Sequence, residues 1–218
     1  AKDLGIAMGV PLFAIRDEVK KYGIDVRSSN YTLYGDMSSR VHEAISHFSN
    51  EIENYSIDEA FAVVETNAYM KPLFASGVEI RTAVKKWTGI PTSVGIAPTK
   101  TLAKIAGKIA KKLPDGVFEL TDKGLQDKVL AETDIIDIWG INTRSAVKLN
   151  ALGVRSAKDL RDLDLRVAHK ALTVVGARMV EELRGYPSLS LEQITPLKKS
   201  ICCSRSFAGE VRTFAELS

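Results

Sequence analysis

Strand-like alternation in this chain is confined to the stretch between Glu51 and Leu120. Short apolar runs at Glu51–Tyr55, Ala60–Val64, Pro91–Ala97 and Gly116–Leu120 are each bounded by turn-forming or polar residues. Beyond Thr121 the apolar spacing is helical as far as Arg184, in four or five short segments with breaks at Gly140, Gly153 and Gly176. This segregation predicts an α+β chain: a mixed β-sheet carrying helices, then an all-α part, with the boundary near Thr121. Helices are expected over Asn30–Ser49, Pro72–Thr88 and Thr99–Leu113, the last with Thr99 as N-cap. The first residues read as a broken helix, a turn at Gly9-Val10-Pro11 and an amphipathic helix ending near Gly23. Leu191–Ser218 reads as extended. The opening without Met and the close without a finishing element predict a piece of a longer protein.

Length and composition narrow the class. At about 150 residues per domain, 218 residues make one to two domains. An apolar fraction of 45% and a charged fraction of 26% are those of a globular protein. No apolar run approaches the ~18 residues of a membrane span, and no secretory leader is recognisable. The adjacent Cys202 and Cys203 suit neither a disulfide framework nor zinc spacing, which points to a cytoplasmic chain with reduced thiols. The net charge of +3 says little, but its distribution says more. Val41–Met70 holds Glu43, Glu51, Glu53, Asp58, Glu59 and Glu65 and no Lys or Arg. Thr92–Leu113 holds Lys100, Lys104, Lys108, Lys111 and Lys112 and no acid. Such segments in one domain can build a site for metal plus phosphate, or can be two solvated faces.

Three constellations carry chemistry. In Tyr55-Ser-Ile-Asp-Glu-Ala-Phe61, Asp58 and Glu59 lie between two strands. A straight strand would send them to opposite faces, whereas a hairpin tip can turn both to one edge. Carboxylates together with substrate phosphates are what Mg²⁺ requires, so the pair suits two-metal phosphoryl transfer; the alternative is a polar turn. In the helix Thr99–Leu113, the five lysines fall within roughly a 120° sector, and Leu102, Ile105, Ala106, Ile109 and Leu113 cluster on another side. The lysine face suits phosphates, or simply water. Ile138-Trp-Gly-Ile-Asn-Thr-Arg-Ser-Ala-Val-Lys-Leu149 reads as helix, tight turn, helix. Amides at the start of the second helix would bind a backbone phosphate, with Arg144 and Lys148 beside them. Asn142 stands where a second glycine is expected and tolerates positive φ. The alternative is an ordinary helical hairpin. His42, His47 and His169 have no metal spacing. Gly176-Ala-Arg178 fits helix packing better than a second phosphate turn.

Together these features fit metal-dependent nucleotidyl transfer on DNA. Ser56-Ile-Asp-Glu-Ala-Phe61, Val94-Gly-Ile-Ala97 with Thr99-Lys-Thr-Leu-Ala-Lys104, and Trp139-Gly-Ile141 resemble three ordered motifs of Y-family translesion DNA polymerases. The threonine before Lys100, and Ile201-Cys-Cys-Ser-Arg-Ser-Phe207, resemble the UmuC branch (ImpB/MucB/SamB-like). The resemblance runs in order over nearly the whole chain. It implies partial fingers over 1–30, a palm over 31–124, a helix-hairpin-helix-like thumb over 125–195 and the start of a little finger over 196–218, beginning near Lys198. It implies that Asp58 and Glu59 are catalytic, metal-binding acids of a two-metal Mg²⁺ site, and that Lys2 and Lys111 contact the incoming triphosphate. Lys100, Lys104, Gly140, Ile141, Asn142, Thr143, Arg144 and Lys148 would face DNA.

The implied substrates are primer-template DNA and a dNTP. The implied partners are a processed UmuD-type subunit, RecA and the sliding clamp. The implied setting is SOS mutagenesis in the bacterial cytoplasm, at the nucleoid and away from membranes. The family's third acid and its aromatic steric gate lie on an N-terminal strand with no counterpart here, which predicts an inactive fragment of an active error-prone polymerase. Two rivals remain: a non-catalytic DNA-binding module using the hairpin and lysine face, and another two-metal enzyme on a palm-like sheet, such as a nucleotidyl cyclase.

Overall fold

The structure, a computed structural model, describes residues 1–65, 71–192, 200–204, 207 and 211–216. Lys198 therefore lies outside the described residues. The elements follow the order α1 (Arg16–Tyr22), α2 (Tyr31–Ser46), β1 (Ile52–Asn54), β2 (Ala60–Ala62), α3 (Leu73–Thr88), β3 (Val94–Ile96), α4 (Lys100–Ala110), β4 (Val117–Glu119), α5 (Lys123–Glu132), α6 (Thr143–Ala151), α7 (Ala157–Asp162) and α8 (Leu165–Arg184). Single 3₁₀ turns stand at Lys2–Leu4, Leu12–Ile15, Ile135–Asp137 and Phe214–Glu216. The first stretch of the expected broken helix is thus one 3₁₀ turn. None of residues 1–30 is buried.

Both pairing senses of a mixed sheet occur, divided between two small sheets. β1 and β2 form an antiparallel hairpin with Glu53 opposite Phe61. β3 and β4 pair in parallel, Gly95 opposite Phe118, with α4 as the crossover between them. Two glycines make this unit thin. A Cβ on Gly95 would stand 2.2 Å from the Gly107 amide nitrogen and 2.5 Å from the Ala103 carbonyl oxygen, so the strand can lie on the helix only without side chains there. A Cβ on Gly77 would stand 2.8 Å from Ile96 Cδ1 and 2.9 Å from Val117 Cγ1, which brings α3 down on the two strands.

α4 is capped as expected: Thr99 Oγ1 accepts the Leu102 amide at 3.4 Å. Its Leu102, Ile105 and Ala106 belong to one continuous core with Leu120, Leu130 of α5, Leu149 of α6, Leu160 of α7 and Leu183 of α8. The change of secondary structure after Thr121 is therefore not a gap in the packing. A smaller cluster joins Ala44 of α2 to Ile80 and Val84 of α3. The break expected at Gly176 falls instead at Thr173, whose φ is 65° and ψ −162°. Gly176 itself is helical, and a Cβ there would meet Leu172 Cβ at 2.5 Å and the Ala168 carbonyl oxygen at 2.8 Å. The glycine serves close packing across the kink.

Candidate functional site

The β1–β2 hairpin carries the paired acids at its tip. The Ser56 amide donates to the Glu59 carbonyl at 3.0 Å and closes the turn. Ser56 Oγ donates to Asp58 Oδ1 at 2.8 Å, and the Asp58 amide returns a bond to that hydroxyl at 3.4 Å. Asp58 is exposed, and Glu59 is partly covered. Both acids therefore belong to the turn and the residue leaving it, not to a straight strand. Among the described residues no group of three or more His, Cys, Asp or Glu gathers for a metal. The pair does offer hard oxygen donors, and Glu59 already holds a cation. Lys104 Nζ lies 2.6 Å from Glu59 Oε1, with the ring of Tyr55 at 5.5 Å. The tip thus fits a small hard cation in kind.

The lysine stripe of α4 runs along a row of acids from other elements. Lys100 pairs with Glu53, Lys104 with Glu59 and Lys108 with Asp137, the last at 2.6 Å. The i, i+4, i+8 spacing places one ammonium per helical turn beside one carboxylate each. Lys100 is the most enclosed of the three. Its side chain is only 10% exposed, it donates to the Ser190 carbonyl at 2.6 Å, and it lies 5.2 Å from the Phe61 ring. It forms a largely buried ion pair with Glu53. Lys111, the C-cap of α4, and Lys112 are exposed. Lys2 is exposed on the first 3₁₀ turn.

The turn expected between Ile138 and Leu149 has a different local geometry. Its first arm is the 3₁₀ turn Ile135–Asp137, and its second is α6. Gly140, at φ 90°, supplies the left-handed residue. Asn142 is extended, with φ −98° and ψ 170°, and acts as N-cap by accepting the Ser145 amide at 2.9 Å. The positive φ that asparagine tolerates is not adopted, because the cap role requires an extended residue. Ile141 is buried under the turn, while Thr143, Arg144 and Lys148 are exposed around it. A recess of 180 Å³ lies between Gly140, Ile141, Ser145 and Lys148 on one side and Leu172, Thr173 and Met179 on the other. A wider hollow of 540 Å³, on α3 between Phe48 and Trp87, contains none of the predicted site residues.

Aromatic residues join the turn to the hairpin. Trp139 Nε1 donates to Tyr55 Oη at 3.0 Å, and the rings of Tyr55, Phe61 and Trp139 stand 5.3–5.7 Å apart. Sequence reasoning brought Asp58, Glu59, Lys104 and the turn into one proposal but missed what fixes them. Glu53, Glu182 and Asp137 are those fixtures. Glu182 is fully buried and accepts the amides of Thr101 at 3.0 Å, Ser188 at 2.7 Å and Leu189 at 3.1 Å. Glu53 accepts the Glu192 amide at 2.8 Å beside Lys100. An acid at an inward position of an apolar strand was the available signal for Glu53; Glu182 carried none.

Comparison with known proteins gives a consistent set. Residues 1–108 match the model of the impB/mucB/samB family. Protein UmuC of Salmonella typhimurium is 43% identical over 220 residues, covering 100% of this chain and 52% of that protein. Protein MucB of Escherichia coli is 36% identical over 219 residues, with the same coverage of 100% and 52%. The insertion ternary complex of Dbh DNA polymerase superposes with a TM-score of 0.70 at 26% identity, over 86% of this chain and 54% of that one. The chain spans about half the length of the curated relatives it matches.

Proposed function

The chain belongs to the impB/mucB/samB family, and from that premise we propose that it forms the palm and thumb of an error-prone translesion DNA polymerase. The observation that carries the reading is the Trp139–Tyr55 bond, which seats the candidate DNA-backbone turn against the hairpin bearing Asp58 and Glu59. In this reading residues 31–124 are the palm, 125–195 the thumb, 1–30 part of the fingers and 196–218 the start of the little finger.

Asp58 and Glu59 would hold Mg²⁺, which when bound activates a primer 3′-hydroxyl and offsets charge on the nucleotide triphosphate. The chain's own residues do the positioning. Lys2 and Lys111 supply cations near the triphosphate, and Lys104, expected to face DNA, joins them because it lies beside Glu59. The amides at the start of α6, with Thr143, Arg144 and Lys148, would hold the DNA backbone over the turn at Gly140. Lys100 is left out of this set because its ammonium is turned inward. The UmuD-type subunit, RecA, the sliding clamp, the SOS setting and a cytoplasmic, nucleoid-associated location extend the proposal on resemblance alone. Among the described residues no helix is long and apolar enough to cross a membrane.

The test is Mg²⁺-dependent extension of a primed template by the protein at the length of its relatives, beside Asp58→Ala and Glu59→Ala. Extension lost in both variants supports the reading. DNA binding without extension by the unaltered protein would replace it with a non-catalytic DNA-binding module. Nucleotide turnover without a primer would replace it with another two-metal enzyme.

A further inference from the structure

We propose that Lys104 is a resident counter-ion on Glu59, a displaceable ammonium that competes with a divalent cation for the hairpin tip and so sets its metal affinity. The inference rests on the polymerase reading of Asp58 and Glu59 and concerns how that same site is regulated.

Two lysines of α4 reach into the hairpin, and their surroundings differ in kind. Lys100 is 10% exposed and is held by Glu53, the Ser190 carbonyl and the Phe61 ring together. Such an ammonium has no route out without leaving Glu53 buried and unpaired. Lys104 is 24% exposed, its partner Glu59 is 36% exposed, and among the described residues its hydrogen-bonding partner is that single carboxylate oxygen. The ring of Tyr55 supplies only a second, softer contact at 5.5 Å. An ion pair this open to solvent is weak. The backbone beneath it is anchored, because Glu182 holds the first turn of α4 through the Thr101 amide. Only the flexible stem of Lys104 has to move.

The neighbouring carboxylate decides the direction of the competition. Asp58 is exposed and accepts a hydrogen bond from Ser56 Oγ, with no ion pair among the described residues. The single positive charge on Glu59 therefore leaves the adjacent acid of the turn without an ion pair among the described residues. A divalent cation can use both carboxylates and binds oxygen more strongly than an ammonium does. Lys104 opposes it twice, by occupying Glu59 Oε1 and by leaving a positive charge close to the tip. Once displaced, its ammonium stays tethered to α4 within a side chain's length of the acids. A triphosphate arriving with the metal would meet it there, so release from Glu59 and capture of phosphate become one exchange.

The test is direct metal binding by the 218-residue chain, with Mn²⁺ as probe and free Mn²⁺ read by electron paramagnetic resonance. The variants are Lys104→Gln, Lys104→Arg, Glu59→Gln and Asp58→Asn, each checked for its fold by circular dichroism. Lys104→Gln is expected to bind Mn²⁺ about three- to tenfold more tightly than the unaltered chain, with Lys104→Arg unchanged. Glu59→Gln and Asp58→Asn should each weaken binding. Binding that depends on Glu59 but is no tighter in Lys104→Gln would overturn the inference and leave the metal reading of the tip intact. Mn²⁺ binding indifferent to both acids, or absent from every variant, would overturn both. A second measurement needs no variant: amine acylation of the unaltered chain should rise at Lys104 on adding Mg²⁺ and stay constant at Lys100. Constant reactivity at Lys104 at saturating Mg²⁺ would also overturn the inference.

Discussion

Replacing Glu182 with alanine tests whether a buried carboxylate fixes the candidate site. The side chain is fully buried, and its two oxygens serve three amides on two segments. Oε2 accepts Thr101 in the first turn of α4, while Oε1 accepts Ser188 and Leu189 in the strap after α8. Hydrogen bonds to a charged acceptor are each worth about 1.5–3 kcal/mol. The Thr101 residue is only 2% exposed, so losing its acceptor costs about 2 kcal/mol. The strap amides are partly buried and regain water, so they cost about 1 kcal/mol each. Relief of the carboxylate's own desolvation returns part of this, leaving a net loss of about 3 kcal/mol for Glu182→Ala. That is a large share of a typical domain's 5–15 kcal/mol. Glu182→Gln keeps one acceptor and turns an NH₂ toward the other donors, so it should lose about half as much. Urea unfolding followed by circular dichroism gives the stabilities, and amide exchange at Thr101, Ser188 and Leu189 locates the effect. A loss below about 1 kcal/mol for Glu182→Ala, with exchange unchanged, would refute the reasoning. It would mean that the buried charge only breaks even and that other contacts hold the strap.

Three further outcomes follow from local geometry. Gly95→Ala should cost about 2–3 kcal/mol, because its Cβ would sit 2.2 Å from backbone that cannot rotate away; thermal unfolding checks this, and a near-neutral variant would mean β3 and α4 can separate. Thr173→Gly should stabilise the chain by about 1 kcal/mol by removing a β-branched side chain from φ 65°, as read by urea unfolding; a loss of stability would mean that Thr173 makes contacts worth more than its strain. The Arg161 and Lys158 bonds to Asp162 lower its pKa from 3.8 to about 2. A carboxylate lowered on folding contributes stability that is present above pH 3.8 and lost as pH falls toward 2. Acid unfolding of Asp162→Asn should therefore lack part of the decline the unaltered chain shows across that window. Parallel acid profiles for the two proteins would contradict the assignment.

What the sequence made legible was local. The helix Thr99–Leu113 could be read because its cap, its apolar repeat and its lysine repeat all obey one period. The Asp58–Glu59 turn could be read because two strand patterns flank it at hairpin spacing. Tertiary partners had no such signal. Lys100 and Lys104 are equivalent in the pattern, and only the fold distinguishes an ammonium buried beside Glu53 from one resting on an open carboxylate. The kink failed for a related reason. A glycine can break a helix or make room within one; at Gly176 the packing reading holds, and the strained backbone is carried by Thr173. At Asn142 two properties of one residue type competed, and capping prevailed over left-handed φ.

The three ion pairs of α4 explain why motifs far apart in sequence lie together. Glu53 and Glu59 belong to the hairpin, whereas Asp137 belongs to the 3₁₀ turn that leads into Gly140. A rigid helix with lysines at i, i+4 and i+8 therefore holds the acid-bearing tip and the candidate backbone-binding turn along one edge, one helical turn apart. The Trp139–Tyr55 bond closes the same arrangement from the other side. The surface pairs contribute little stability individually, but register does not depend on their strength. Shifting any lysine by one position would rotate it about 100° away from its acid. The lysine repeat is thus under a geometric constraint that neither solubility nor phosphate binding alone would impose, and its partly exposed middle member is the one that rests on an acid of the hairpin tip.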